Sequence, residues 1–144
     1  AATEPALKQT LLTEIRSFSS GSTTACEKKT QSNNHFEPVI LSTLSHPSVP
    51  SLLGVINAGK DYFFVLEKMP GTSIETLLFS DHYCFSQEEV YRIGLDLIDV
   101  ISYLHENNIA HRDIRPANVL WDQNRLSLID FGLARFADGE GNTA

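Results

Sequence analysis

The sequence predicts an α+β fold with helices and antiparallel sheets segregated along the chain. Two observations carry this expectation. One long, well-capped amphipathic helix occupies the middle of the chain, and two pairs of short apolar runs each flank a polar turn. The elements run in the order helix, two strands, short connector, long helix, loop, two strands, without an internal repeat.

Residues 16–34 are polar, rich in Ser, Thr and Asn and poor in large apolar side chains, so they read as a loop or a weakly formed strand pair. From Phe36 the pattern turns helical. Val39, Ile40, Leu41 and Leu44 recur at helical spacing, and His46-Pro47 halts the run. Leu52-Leu53-Gly54-Val55-Ile56 and Tyr62-Phe63-Phe64-Val65-Leu66 flank a turn at Asn57-Ala58-Gly59-Lys60, which predicts an antiparallel hairpin. Thr72 or Ser73 then caps a short helix holding Leu77 and Leu78.

The strongest helix follows. Ser86-Gln87-Glu88-Glu89 is a capping box, with Phe85 and Val90 as a candidate hydrophobic staple. Val90, Ile93, Leu97, Ile101 and Leu104 are expected on one buried face, with Ile98 beside them. Val119-Leu120-Trp121 and Leu126-Ser127-Leu128-Ile129, around Asp122-Gln123-Asn124-Arg125, predict a second hairpin.

A chain of 144 residues is one domain's worth, and 42% hydrophobic with 20% charged residues reads as globular and soluble. No apolar run approaches the length of a membrane span. The start, Ala1-Ala2-Thr3-Glu4-Pro5, lacks the basic and apolar regions of a secretory signal. A net charge of −7 argues against a nucleic-acid partner, which calls for a basic stripe. Cys26 and Cys84 have no metal-ligand spacing and read as reduced thiols of a cytoplasmic protein.

The segment His111-Arg112-Asp113-Ile114-Arg115-Pro116-Ala117-Asn118 carries the chemistry, together with Asp130-Phe131-Gly132 beyond the second hairpin. Alone, each short word is weak, and Asp113 with Asn118 could form an ordinary turn with local side-chain hydrogen bonds. The compound pattern, in this order and spacing, is specific. Phosphoryl transfer needs positioning and charge neutralisation more than covalent help. Asp113 is a carboxylate that can orient a hydroxyl and accept its proton, and Asn118 and Asp130 offer hard oxygen ligands suited to Mg²⁺.

Over roughly residues 36–135 the chain resembles a eukaryotic-type protein kinase. Glu37 ahead of Ile40-Leu41, Leu44 and His46-Pro47 resembles the family's αC helix and the loop after it. Phe64-Val65-Leu66-Glu67-Lys68-Met69 followed by Gly71 resembles the last small-lobe strand and the hinge. Tyr103-Leu104-His105 before Ile109-Ala110-His111-Arg112-Asp113 resembles the entry to the catalytic loop.

The resemblance implies a protein-kinase-like two-lobe fold, with a small antiparallel-sheet lobe carrying αC and a truncated helical large lobe. Its divisions are a small-lobe region at 1–66, a hinge at 67–71 and a large-lobe region at 72–144. It implies ATP and Mg²⁺ as cofactors, with a protein substrate or regulatory protein as partner. Asp113 would be the catalytic base, with Arg115 clamping the transferring phosphate or the catalytic carboxylate. Asn118 and Asp130 would hold metal. The Glu67 carbonyl and the Met69 backbone would bond adenine, Leu120 would floor its pocket, and Leu66 would be the gatekeeper. Glu37 would pair with a strand lysine, Lys28 or failing that Lys29. Arg112 would meet a phosphorylated activation-loop residue. His111 and Phe131 would stack into a hydrophobic spine with Leu41.

The pattern departs from the family in three places. Arg115 stands where serine/threonine kinases usually carry Lys, which opens the acceptor class, although Pro116 leans towards Ser/Thr. The phosphate-loop candidate, Arg16-Ser17-Phe18-Ser19-Ser20-Gly21, keeps only one glycine. Beyond Arg135 only a polar segment, Asp138-Gly139-Glu140-Gly141-Asn142-Thr143, precedes the end. The leading expectation is therefore a protein kinase with Ser/Thr preferred. A non-catalytic kinase-like scaffold and a small-molecule kinase are the alternatives.

Overall fold

The computed structural model describes residues 24–30, 36–58 and 61–137. Strands β1 (Thr24–Thr30), β2 (Leu52–Ala58) and β3 (Asp61–Glu67) form an antiparallel sheet in the order β1-β3-β2. The predicted hairpin is β2–β3, in register from Ala58 opposite Asp61 to Leu52 opposite Leu66, with an irregularity between Leu52 and Gly54. β1 comes from a segment that reads as loop or weak strand. It pairs along its whole length with β3, because the β3 edge offers a full row of backbone partners to a polar sequence.

Helix α1 (Phe36–Thr43) precedes β2, and α2 (Ile74–Phe79) is capped by Ser73, whose hydroxyl accepts the Thr76 N–H at 3.1 Å. Helix α3 (Gln87–Glu106) is the long helix. The second hairpin is β6 (Val119–Trp121) with β7 (Leu126–Leu128), extended by β4 (Thr72–Ser73) on the far side of β6. β5 (Ile109–Ala110) and β8 (Arg135–Phe136) make a short antiparallel pair. Helices and small antiparallel sheets are thus segregated, as the sequence predicts. No described helix is long and apolar enough to cross a membrane.

One hydrophobic core runs through all of these parts. Ile40 and Leu41 of α1 and Phe64 and Leu66 of β3 join Val100 and Leu104 of α3, the hairpin residues Val119, Trp121, Leu126 and Leu128, and Phe131. The hairpin is held against its neighbours by backbone as well as by apolar contact. Leu128 N–H donates to the Ser48 carbonyl at 2.7 Å, and Leu126 N–H to an Asp96 carboxylate oxygen at 3.0 Å.

The buried face of α3 differs from the expected stripe. Val100 and Leu104 are buried, with Ile93 and Leu97 packed beside them, whereas Val90 is 58% and Ile98 64% exposed. The reason is helical geometry. Residues 93, 97, 100 and 104 return to one line at about 100° per residue, while Tyr91, Leu95 and Ile98 fall on the opposite side. Tyr91 and Leu95 are accordingly exposed too.

The capping box forms as predicted. Ser86 Oγ accepts the Glu89 N–H at 3.1 Å, and the Glu89 carboxylate accepts the Ser86 N–H at 2.9 Å. The same carboxylate also accepts the Tyr83 hydroxyl at 2.7 Å and the Trp121 indole N–H at 3.2 Å. Glu89 therefore ties the start of α3 to the hairpin, which the sequence pattern alone does not reveal. The Ser86 N–H, then the Tyr83 and Trp121 donors, hold its carboxyl at about 2, below its ordinary 4.5.

A group depressed on folding adds stability that is complete above its unfolded value and is lost as pH falls towards the folded one. Glu89's share should therefore disappear between about pH 4.5 and pH 2. Thermal melts of the wild type and Glu89→Gln should differ near neutrality and converge across that window. Ser86→Ala should cost about 1 kcal/mol in chemical denaturation, the usual loss for an N-cap.

Candidate active site

The loop bearing Asp113 is set by what precedes it. Helix α3 ends with the Asn107 N–H on the Tyr103 and Leu104 carbonyls, and Asn108, at φ +56°, turns the chain away. β5 then pairs with β8, Ile109 opposite Phe136 and Ala110 opposite Arg135. This short ladder brings the segment beginning at His111 beside the one containing Asp130-Phe131-Gly132.

His111 joins the two segments. It is buried, and its Nδ1 accepts the Asp113 N–H at 3.2 Å while Nε2 lies 3.0 Å from the Ile129 carbonyl. A nitrogen that accepts from an amide carries no proton, so Nε2 must be the donor and the ring is the neutral Nε2–H tautomer. The ring meets Phe131 edge-on, with centroids 4.8 Å apart. Burial pushes the imidazole below its ordinary 6.5, against the raising effects of the Ile129 carbonyl and of Asp113 and Asp130.

Asn118 fixes the rest of the loop. Its amide nitrogen donates to both the backbone carbonyl and Oδ2 of Asp113, each at 2.9 Å. Its N–H donates to the Arg115 carbonyl, closing the turn Pro116–Asn118, and its carbonyl accepts the Ile129 N–H, each at 2.9 Å. Asn118 is buried, Asp113 half-buried and Asp130 exposed. Asp130 Oδ1 accepts the Gly132 N–H at 3.1 Å. Arg112 and Asp130 both occupy the left-handed backbone region, at φ +67° and +58°. Such conformations cost about 1–3 kcal/mol each and persist where surrounding bonds enforce them.

Asp113, Asn118 and Asp130 are thus gathered by one hydrogen-bonded frame. With its amide nitrogen spent on Asp113, Asn118 has its side-chain oxygen left to offer, and Asp130 adds a carboxylate at the surface. Among the described residues no group of three His, Cys, Asp or Glu could hold a metal ion. As hard oxygen donors the two are of the type that suits Mg²⁺, which keeps waters and is commonly completed by phosphate oxygens.

The other predicted residues are more dispersed. Arg115 is exposed, and its guanidinium makes no hydrogen bond among the described residues. Leu120 is half-buried on β6, opposite Ser73 and Ser127. Met69 is buried after β3, and Glu67 is exposed at its end. Glu67 and Ser51 exchange contacts, the Glu67 N–H on the Ser51 carbonyl at 2.9 Å and the Ser51 N–H on the Glu67 carboxylate at 3.3 Å. Glu37 is fully buried in the first turn of α1, so it is no solvated surface residue.

Lys28 pairs across the ladder with Phe63 and Lys29 with Tyr62. The two positions therefore belong to opposite faces of the sheet. The register position of Lys29 shares the face of Phe64 and Leu66, which join the core with α1. The phosphate-loop candidate at 16–21 and the polar segment 138–143 lie outside the described residues.

One bridge escapes motif reading. His46 Nδ1 accepts the Ser48 N–H at 3.0 Å, its Nε2 lies 3.0 Å from Asp99, and Tyr103 accepts the Ser45 N–H at 2.7 Å. The His46-Pro47 pair thus anchors the loop after α1 to α3 as well as ending a helix.

A family model for the protein kinase domain matches residues 20–144. The chain is similar to sperm motility kinase Z of Mus musculus, 34% identical over 106 residues, covering 72% of this chain and 21% of that protein. It is 34% identical over 100 residues to the serine/threonine-protein kinase STY46 of Arabidopsis thaliana, covering 69% of this chain and 17% of that protein. Likeness to the probable serine/threonine-protein kinase YbdM of Bacillus subtilis is 33% over 96 residues, covering 67% and 38%. The chain spans well under half the length of these relatives.

The His111 frame makes a pH prediction. Since its imidazole is depressed on folding, its stabilising share is complete above about pH 6.5 and lost as pH falls through the folded value. The melting temperature should begin to drop below about pH 6.5 from this cause. His111→Gln keeps an acceptor and a donor without titrating, so its melting temperature should be flatter across the same range.

Proposed function

The chain belongs to the protein kinase family, and from that membership we propose that it transfers the γ-phosphate of ATP to a protein hydroxyl, with serine or threonine favoured. The double hydrogen bond from Asn118 to Asp113 carries this reading. It holds one carboxylate oxygen and the backbone carbonyl of the same residue, so the Asp113 side chain is oriented before any substrate arrives. Preorganisation of this kind is what phosphoryl transfer asks of a protein, since the transition state is loose and needs alignment.

In this reading Asp113 accepts a hydrogen bond from the acceptor hydroxyl and takes its proton as that oxygen bonds to the γ-phosphorus and the bond to the bridging oxygen of ADP breaks. Asn118 and Asp130 are the metal holders, and bound Mg²⁺ would neutralise charge on the phosphates. Arg115, exposed beside Asp113 in sequence, has a free planar fork for a phosphate oxygen. The hinge is residues 67–71, between a small-lobe region at 1–66 and a large-lobe region at 72–144. The Glu67 carbonyl and the Met69 backbone would take the adenine edge, with Leu120 beneath it. Glu37, buried in the first turn of α1, would pair with a β1 lysine. Lys28 is the first expectation and Lys29 the fallback, whereas the β1–β3 register favours Lys29. The setting proposed is cytoplasmic, which suits the free, exposed Cys84 thiol.

Retention of Asp113, Asn118 and Asp130 in one frame favours catalysis over a purely scaffolding role. Mg²⁺-ATP should raise the melting temperature of the chain, and Asp130→Ala should remove that shift. Asp113→Asn should keep the shift yet lower transfer of radiolabel to a protein substrate by about 10²–10⁴-fold, the range for losing a general base. Lys28→Met and Lys29→Met, compared in the same binding assay, identify the phosphate-facing lysine. No thermal shift with wild type and Mg²⁺-ATP would overturn the catalytic reading.

A further inference from the structure

Helix α1 is too short to hold itself. Its 8 residues fall below the length at which an isolated helix is stable in water, so its placement depends on contacts with the rest of the fold. Its apolar anchors, Ile40 and Leu41, are buried in its second half, whereas Phe36 and Val39 in the first turn are 48% and 52% exposed. Glu37 lies in that same first turn and is fully buried. The position of its carboxylate therefore depends on what fixes the start of the helix.

β8 packs against α1, and Arg135 makes the contact specific. Its guanidinium carbon stands 4.7 Å from the centroid of the Phe36 ring, inside the range of roughly 6 Å over which an aromatic face attracts a cation. Burial does not explain this placement, because Phe36 stands outside the hydrophobic core. Arginine suits such a contact, since a planar guanidinium can stack on a ring where a lysine ammonium cannot.

Arg135 is itself tied to the candidate site. It pairs opposite Ala110 in the β5–β8 ladder, one residue before His111. Its Nη1 donates to the Ala134 carbonyl at 2.7 Å. Ala134 is fully buried, and its N–H donates to the Phe131 carbonyl at 3.1 Å. The cation is thereby fixed to the frame that gathers Asp113 and Asp130, while its aromatic partner opens the helix that carries Glu37.

We propose that Phe36 and Arg135 form an aromatic–cation clasp that positions the first turn of α1, and Glu37 with it, on the frame around His111. Both are positioning residues, acting on nucleotide through Glu37 without touching it. The consequence for ATP rests on the transfer reading, in which Glu37 pairs with a β1 lysine, whereas the clasp itself does not. Within that reading a half-exposed contact outside the nucleotide site tunes ATP affinity.

Amide hydrogen exchange of the full chain tests the clasp. The Ile40 and Leu41 amides close the first helical turn on the Phe36 and Glu37 carbonyls, so their exchange reports its opening. Arg135→Met and Phe36→Leu should each speed that exchange by about two- to fivefold, the range for an exposed cation–π contact. The double variant should exchange no faster than either single one, because each removes the same contact. Phe36→Tyr keeps an aromatic face and should match the wild type. In a parallel titration with Mg²⁺-ATP, the two losses should weaken binding by about two- to fivefold. They should have no further effect in a Glu37→Gln background, an outcome that a general loss of stability would not produce. Unchanged exchange in Arg135→Met, additive effects of the two substitutions, or a Phe36→Tyr that behaves like Phe36→Leu would each overturn the clasp. Clasp variants that bind Mg²⁺-ATP as tightly as a binding wild type would overturn its action through Glu37. A wild type that binds no Mg²⁺-ATP would sink the transfer reading alone, since the exchange measurements still decide the clasp.

Discussion

The neutral imidazole of His111 is the constraint on which the candidate site depends. One nitrogen holds the Asp113 amide, the other holds the Ile129 carbonyl, and the ring makes an edge-to-face contact with Phe131. A charged ring could not serve both bonds, because a protonated Nδ1 would oppose the Asp113 N–H. Burial supplies the bias towards neutrality. A single buried group therefore couples the position of the candidate base to that of the candidate metal ligand Asp130, one residue beyond Ile129.

The frame around His111 is rigid for a second reason. Asn118 spends its side-chain nitrogen on Asp113, its N–H on Arg115 and its carbonyl on Ile129, so the turn, the hairpin entry and the carboxylate move together. The strained backbones of Arg112 and Asp130 flank this frame and are tolerated because the frame over-determines them. Further out, the Glu89 carboxylate performs a similar task with three donors, fixing the start of α3 to Trp121 of the hairpin.

Much of this was legible from residue order. The capping box at Ser86–Glu89, both hairpins and the segregated α+β arrangement follow from local chemistry that leaves a local signature. The H-R-D-x-x-x-x-N and D-F-G words named the site because their spacing reflects one geometric task. What periodicity misjudged was the buried face of α3. Val90 and Ile98 are as apolar as Val100, but the line through Ile93, Leu97, Val100 and Leu104 is the one that packs into the core, and helical geometry puts Ile98 on the far side of it. β1 was illegible because a polar strand is stabilised by the β3 edge it meets rather than by its own composition.

The sequence by itself determined the family, the order of the two hairpins and the helices, and the candidate set Asp113, Asn118 and Asp130, because each is written in residue types at fixed spacing. Only the tertiary structure decided that His111 is the neutral link between two loops, that Glu89 serves the hairpin as well as its own helix, and that Lys28 and Lys29 belong to opposite faces. Those outcomes depend on distant partners, Ile129 for His111, Trp121 for Glu89, and Phe63 and Tyr62 for the two lysines. A buried polar group takes whichever partner the packed chain brings within hydrogen-bond reach, and sequence spacing does not encode that distance.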